Sequence, residues 1–103
     1  MRPFLALCLL IAACASPDRA FWGVEPQRRT IEGRDYVVYV DRRDRQPRVQ
    51  VIRMGYARRP EHTAILGAMR IAAEEASGCA LVEGSAQGDS GVLTARLRCP
   101  PAP

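Results

Sequence analysis

The sequence is poor in the residue types that most often mark a metal centre, a redox site or a membrane span. His62 is its only histidine, and aromatic residues make up 6% of its 103 residues. No apolar run approaches the ~20 residues that cross a bilayer, which excludes a membrane-spanning helix. A metal site would lack ligands, and there is no Cys-x-x-Cys pair for redox chemistry. We therefore expect one small domain with an aliphatic core and without a metal or cofactor.

Lysine is absent, so all 15 basic side chains are arginines, set against 11 acidic ones. Between positions 42 and 59 seven arginines face a single acid, Asp44, which gives this segment a charge of seven minus one, or +6. They are Arg42, Arg43, Arg45, Arg48, Arg53, Arg58 and Arg59. Such a cluster is suited to phosphate or carboxylate groups, and it is equally suited to a solvated surface that keeps a small domain soluble.

No motif typical of catalysis is present. Ser77, Ser85 and Ser90 are not part of a nucleophile elbow. The glycine-rich segment 84–91 joins two predicted strands instead of opening a helix, which is not the arrangement of a phosphate-binding loop. We expect no enzymatic activity, with a small hydrolase as the least favoured alternative.

The first fourteen residues have the build of an export signal. Arg2 precedes an apolar stretch, Phe4 to Ala13, that has no polar face to turn toward water. The four residues Ile11-Ala12-Ala13-Cys14 resemble the lipobox of bacterial lipoprotein signal peptides, in which an aliphatic and two small residues precede a cysteine. The resemblance implies that residues 1–13 are removed, that the Cys14 thiol receives diacylglycerol and that the new amine of Cys14 is acylated.

A lipoprotein of this class is anchored in the cell envelope, so the membrane becomes a partner and nucleic acid is not expected. The residue after the cysteine is Ala15 instead of the Asp that favours inner-membrane retention in enteric-type lipoproteins. Its identity favours the outer membrane of a Gram-negative bacterium, on the periplasmic side. Two alternatives stay open. The small-x-small run Ala13-Cys14-Ala15 would also allow release of a soluble periplasmic chain from Ser16, and the apolar stretch would also fit a buried first helix.

Export also explains the cysteine count. Cys8 leaves with the signal peptide and Cys14 is used by the lipid or lost, so two cysteines remain in an oxidising compartment. We predict that Cys79 and Cys99 form a disulfide. In the chain-entropy model, closing a loop of about 20 residues contributes ~3 kcal/mol to stability.

Residues 14–29 resemble a tether, because two prolines and mixed charges disfavour regular structure. Within it, we expect Phe21 and Trp22 to cap the edge of the core, with insertion into the membrane interface as the alternative.

The segment 30–99 predicts one domain. Residues Tyr36–Val40 and 48–56 form a first antiparallel hairpin across the polar loop 41–47. A helix follows from Pro60 to Ser77, and Gly78 ends it in the left-handed conformation.

A second hairpin pairs residues 79–83 with 92–99, and it sets Leu81 opposite Leu97. The predicted fold is α+β, in the order β-β-α-β-β, with one helix packed on one face of an antiparallel sheet. Residues 100–103 form a frayed tail.

These features predict a lipid-anchored envelope protein with a structural or protein-interaction role. The alternative is a binding module that grips an anionic envelope component (a lipid headgroup, lipid A or peptidoglycan) through the arginines from Arg42 to Arg59.

Overall fold

The structure, a computed structural model, describes residues 17–101. The predicted signal peptide, the lipidation of Cys14 and the last two residues of the expected tail lie outside these residues. The described strands are β1 (Pro26–Ile31), β2 (Arg34–Asp41), β3 (Arg48–Arg53), β4 (Ala80–Leu81), β5 (Gln87–Gly88) and β6 (Val92–Arg98). Helix α1 spans His62–Ser77, and 3-10 turns cover Arg19–Phe21 and Arg59–Glu61.

The strands form an antiparallel sheet in the order β1-β2-β3-β6-β4, and β5 pairs with β6 as well. Helix α1 packs on one face of this sheet, which confirms the α+β class and the predicted packing. The first hairpin closes at Asp41 and Arg48, directly across the predicted loop. In the second hairpin Leu81 pairs with Leu97, in the predicted register.

One side of α1 meets the sheet because its small and branched residues recur at helical spacing. Ile65, Ala68, Met69 and Ala72 are buried and share one cluster with β-strand residues such as Val38, Val51 and Leu97. The helix ends at Gly78, whose φ of 71° is the left-handed conformation that glycine adopts without strain. The left-handed Gly78 confirms the predicted helix stop.

The predicted disulfide between Cys79 and Cys99 is formed. Cys79 is buried and is part of the core cluster that includes the helix residues. Cys99 is half-buried and packs against this cluster. Because β4 has only two residues, the disulfide fixes a hairpin whose own backbone pairing is short.

The fold begins earlier than the sequence pattern indicated. Much of the expected tether 14–29 is ordered as a 3-10 turn and as β1, which pairs with β2 over six residue pairs. The pattern hid β1 because it is an edge strand, and the side chains from Pro26 to Ile31 stay exposed or half-buried instead of alternating between core and solvent.

The two aromatic residues of this segment have different surroundings. Phe21 is 2% exposed, as expected of a residue that caps the core, whereas Trp22 is 58% exposed. The expectation that both side chains cover the core is therefore corrected for Trp22. The 3-10 turn that ends at Phe21 buries one ring and directs the next one outward.

The loop before β6 also contains more structure than its composition predicted. Gly88 lies in β5 with φ 117°, and a Cβ atom there would meet the carbonyl oxygen of Val92 at 2.1 Å. Only glycine permits this close approach of the two backbones, so Gly88 is required for the turn into β6.

Candidate functional site

The seven candidate arginines lie in two groups at opposite ends of β3. Four of them lie in the β2–β3 loop or next to it: Arg42, Arg43, Arg45 and Arg48. We call residues 41–48 the loop end. The other three lie at the opposite end of β3, where Arg53 is the last residue of the strand and Arg58 and Arg59 follow it. At about 3.4 Å per residue, β3 separates the Cα atoms of Arg48 and Arg53 by about 17 Å. The structure therefore brings together four of the arginines at one end and three at the other.

At the loop end, a buried carboxylate organises two of the arginines. Asp41 is 2% exposed, and its Oδ1 accepts hydrogen bonds from the backbone N–H of Arg43 at 3.0 Å and from Nε of Arg43 at 2.9 Å. Its Oδ2 accepts one from Nη2 of Arg48 at 3.0 Å. The side-chain hydrogen bond from Arg43 is the main reason that the pKa of Asp41 lies far below its usual value. Both guanidiniums thus compensate an internal charge.

Arg43 also fastens the start of the described chain to the loop end. Its Nη1 donates to the carbonyl oxygen of Trp22 and its Nη2 to that of Ala20, both at 3.0 Å. Arg48 lies over the buried ring of Phe21, with its Cζ 5.6 Å from the ring centroid. The segment 17–23 is held against the sheet by these contacts.

A buried amide completes this attachment. Gln50 is fully buried; its Oε1 accepts from the backbone N–H of Asp18, and its Nε2 donates to Asp18 Oδ2 and to Thr94 Oγ1, all at 2.9 Å. Since Gln50 lies between Val49 and Val51, it faces the side of the sheet away from the helix. Nothing local in the sequence indicates that the N-terminal segment covers this residue.

Arg42 connects the loop end to the disulfide. Its Nη2 donates to the carbonyl oxygen of Ser77 in the last turn of α1. Its Nη1 lies 3.6 Å from the sulfur atoms of both Cys79 and Cys99. A cation at this position satisfies a terminal carbonyl and interacts favourably with the negative end of the helix dipole.

At the other end of β3, Arg53 holds the turn before β6. It donates to the carbonyl oxygen of Ser90 at 2.9 Å and to that of Gly55 at 3.2 Å. The buried hydroxyl of Ser90 is hydrogen-bonded to Nδ1 of His62. His62 itself is exposed, and no spacing motif indicated this contact, because 28 positions separate it from Ser90.

The remaining arginines differ in their partners. Arg58 forms an ion pair with Glu61 at 3.5 Å, and Arg34 also contacts that carboxylate. The side chains of Arg45 and Arg59 are exposed and have no hydrogen bond or ion pair with any residue from 17 to 101. Of the seven candidates, these two keep their donors available for an external anion.

A shallow cleft of about 330 Å³ lies between the end of β1 and the start of α1. Ile31, Tyr36 and Ala64 line it, together with the ion-paired side chains of Arg34 and Glu61. Further along the helix, the exposed side chain of Ile71 continues this partly apolar surface.

Residues 17–101 contain no cluster of three histidine, cysteine or carboxylate side chains that could hold a metal ion. No helix among them is long and apolar enough to cross a membrane.

No protein-family profile, no curated protein and no solved structure shows significant similarity to this chain.

Proposed function

We propose that this protein is a lipid-anchored component of the cell envelope, whose folded domain acts through contacts with other molecules instead of through a reaction. The observation that carries the proposal is the lipobox-like run Ile11-Ala12-Ala13-Cys14 behind an apolar signal-like stretch. The disulfide between Cys79 and Cys99 supports it, because such bonds persist in exported proteins and are rare in the cytosol.

The short spacing between the lipidation site and the fold also supports a role close to the membrane. Pro17 is three residues after Cys14, and the backbone from Asp18 onward is hydrogen-bonded to the sheet or to Arg43. Three residues span at most about 11 Å, so an acylated Cys14 would hold this side of the domain next to the bilayer. Partners of the domain would then be molecules at or near the membrane surface.

The anchor is tested by the intact mass of the protein isolated from membranes of its native host. We expect a chain that begins at Cys14 and carries the added mass of diacylglycerol and a further acyl group. The variant Cys14→Ser should lose this mass, and Cys8→Ser is the matched control because Cys8 leaves with the signal peptide. A lipid-free chain that begins at Ser16 would overturn the proposal.

Binding of an anionic envelope polymer is the second candidate, favoured by the exposed and unengaged side chains of Arg45 and Arg59. It predicts that the protein co-sediments with purified peptidoglycan at low salt and is released as ionic strength rises. The double variant Arg45→Gln/Arg59→Gln should lose most of this binding, whereas Arg70→Gln, an exposed arginine on α1, should keep it. Equal sedimentation of the two variants would exclude this candidate.

A further inference from the structure

The surface around Trp22 combines an exposed indole with cationic side chains. Trp22 is the only tryptophan of the chain and is 58% exposed, although the adjacent Phe21 is buried. Its backbone is fixed by Arg43 and its Nε1 donates to the carbonyl oxygen of Pro17 at 3.3 Å. The exposed position of the ring is therefore set by an ordered backbone.

Two cationic side chains contact Trp22. The guanidinium of Arg19 lies 5.6 Å from the centroid of the ring, and Arg43, whose side chain is 55% exposed, donates to the carbonyl oxygen of Trp22. The unengaged side chain of Arg45 belongs to the same loop as Arg43.

The charged groups of this region are of both signs, but those in contact with Trp22 are positive. Asp41 is buried between Arg43 and Arg48, and the exposed Asp44 lies 3.6 Å from Arg48. Asp18 is exposed and keeps its charge, because its hydrogen-bond donor is the neutral amide of Gln50. The contacts of Trp22 itself are with Arg19 at the ring and Arg43 at the carbonyl oxygen.

We infer that this Trp22 surface (Arg19, Trp22 and Arg43) faces the membrane and seats the indole in the headgroup region of anionic phospholipids. The inference rests on the proposed lipid anchor, since the chain between Cys14 and Pro17 is too short to let this surface turn far from the bilayer. Tryptophan favours the interface because its ring is apolar and its N–H is polar, and arginines near an anionic membrane surface are attracted to it.

The single tryptophan makes the orientation measurable. The lipidated protein, reconstituted into vesicles that contain phosphatidylglycerol, should show blue-shifted emission and low accessibility to acrylamide. Lipids brominated on their acyl chains should reduce the emission of Trp22 by about two-fold, as expected for an indole at the interface. An emission unaffected by brominated lipid would overturn the inference.

A relocated indole provides the matched control. Tyr56 is 84% exposed and follows the other end of β3. In the double variant Trp22→Phe/Tyr56→Trp, the protein carries one exposed indole near the end of β3 that is opposite the loop end. We expect this indole to stay accessible to acrylamide and to be insensitive to brominated lipid. Equal quenching at both positions would mean that the domain has no fixed orientation, which contradicts the inference.

Charge is tested in the same vesicles. Replacing phosphatidylglycerol with phosphatidylcholine, or Arg19 with glutamine, should weaken the quenching of Trp22. Arg70→Gln, on the exposed side of α1, should leave it unchanged. If quenching of Trp22 does not depend on lipid charge, the headgroup contact with Arg19 is excluded.

The intact mass of the same sample separates the two proposals. If the protein carries acyl mass and brominated lipid does not quench Trp22, only the proposal that this surface faces the membrane is overturned. A protein ligand of the indole would then be the next candidate. A chain without acyl mass overturns both the anchor and the orientation that depends on it.

Discussion

The two main hairpins of this domain are fastened at the same end of the sheet by different means. The β2–β3 hairpin pairs over six residues on each strand and is closed by Asp41 with Arg43 and Arg48. The β4–β6 hairpin pairs over only two residue pairs and is closed by the disulfide of Cys79. The difference indicates that a long ladder needs only noncovalent closure, whereas a two-residue strand depends on a covalent bond.

Arg42 links the two hairpins, because its backbone belongs to the β2–β3 loop and its guanidinium contacts the end of α1 and the two sulfur atoms. The two hairpins are therefore coupled as well as different. Substitutions that remove each fastening, and then the Arg42 contacts that couple the hairpins, test this comparison.

The largest effect is expected from the disulfide. The double variant Cys79→Ser/Cys99→Ser should lose about 3 kcal/mol of unfolding free energy, because the unfolded chain regains the freedom of a 20-residue loop. For a domain of this size the loss corresponds to a melting temperature lower by about 12 °C or more. Thermal unfolding monitored by circular dichroism measures it. Alkylation of both cysteines in the native, unreduced protein would contradict the assignment.

A somewhat smaller loss is expected at the buried carboxylate. Asp41→Asn keeps the shape but leaves two arginines without their counter-charge, which should cost about 2–3 kcal/mol in urea unfolding. Asp44→Asn is the matched control, because this side chain is 72% exposed and should change stability by less than about 0.5 kcal/mol. Equal effects of the two variants would show that Asp41 is not an internal fastening.

The charge of Asp41 also predicts a pH dependence. Because its pKa is lower in the folded than in the unfolded chain, its stabilising effect is complete above the ordinary value of 3.8 and is lost as the pH falls toward the folded pKa. The unfolding free energy of the parent protein should therefore decline below about pH 4. The unfolding free energy of the Asp41→Asn variant should decline less steeply over the same range. Identical slopes for the two proteins between pH 5 and 2 would exclude Asp41 as a source of the dependence.

The smallest effect is expected from the coupling residue. Arg42→Gln should lose about 1 kcal/mol, because a charged donor to the last turn of the helix is removed. In the Cys79→Ser/Cys99→Ser background the loss should be smaller, since the helix end is no longer held against the sulfur atoms; a double-mutant cycle measures the difference. Arg45→Gln should leave stability unchanged. Additive losses would show that the two hairpins are independent.

Local patterns predicted the parts of the fold that depend on local chemistry. The helix, its stop at Gly78 and the pairing of Leu81 with Leu97 follow from periodicity and from positions close in sequence. The predicted start at Pro60 lies in the 3-10 turn that directly precedes α1, which begins at His62. The disulfide followed from cysteine arithmetic after removal of a predicted signal. Each of these features carries its own signal in residue type or spacing.

The features that sequence did not predict depend on distant partners. β1 is an edge strand with polar side chains, and its stability comes from the backbone of β2. Gln50 is buried only because Asp18 and its neighbours cover that face of the sheet. His62 and Ser90 meet because the first residue of α1 lies next to the turn before β6. No local pattern contains these contacts. For the same reason the seven arginines resembled one patch in the sequence, although β3 separates them into two groups in the structure.

The position of β6 determines when this sheet can assemble. It is the last of the six strands in the chain, yet it lies between β3 and β4, and Val49 pairs with Ala95 across 95 minus 49, or 46, positions. Before residues 92–98 are available, β3 has an open edge and α1 covers an incomplete sheet. Such long-range pairing makes folding slow and leaves it until residues 92–98 have been synthesised. This order of assembly is compatible with the export that we propose, in which the chain would cross a membrane unfolded and form its disulfide afterwards.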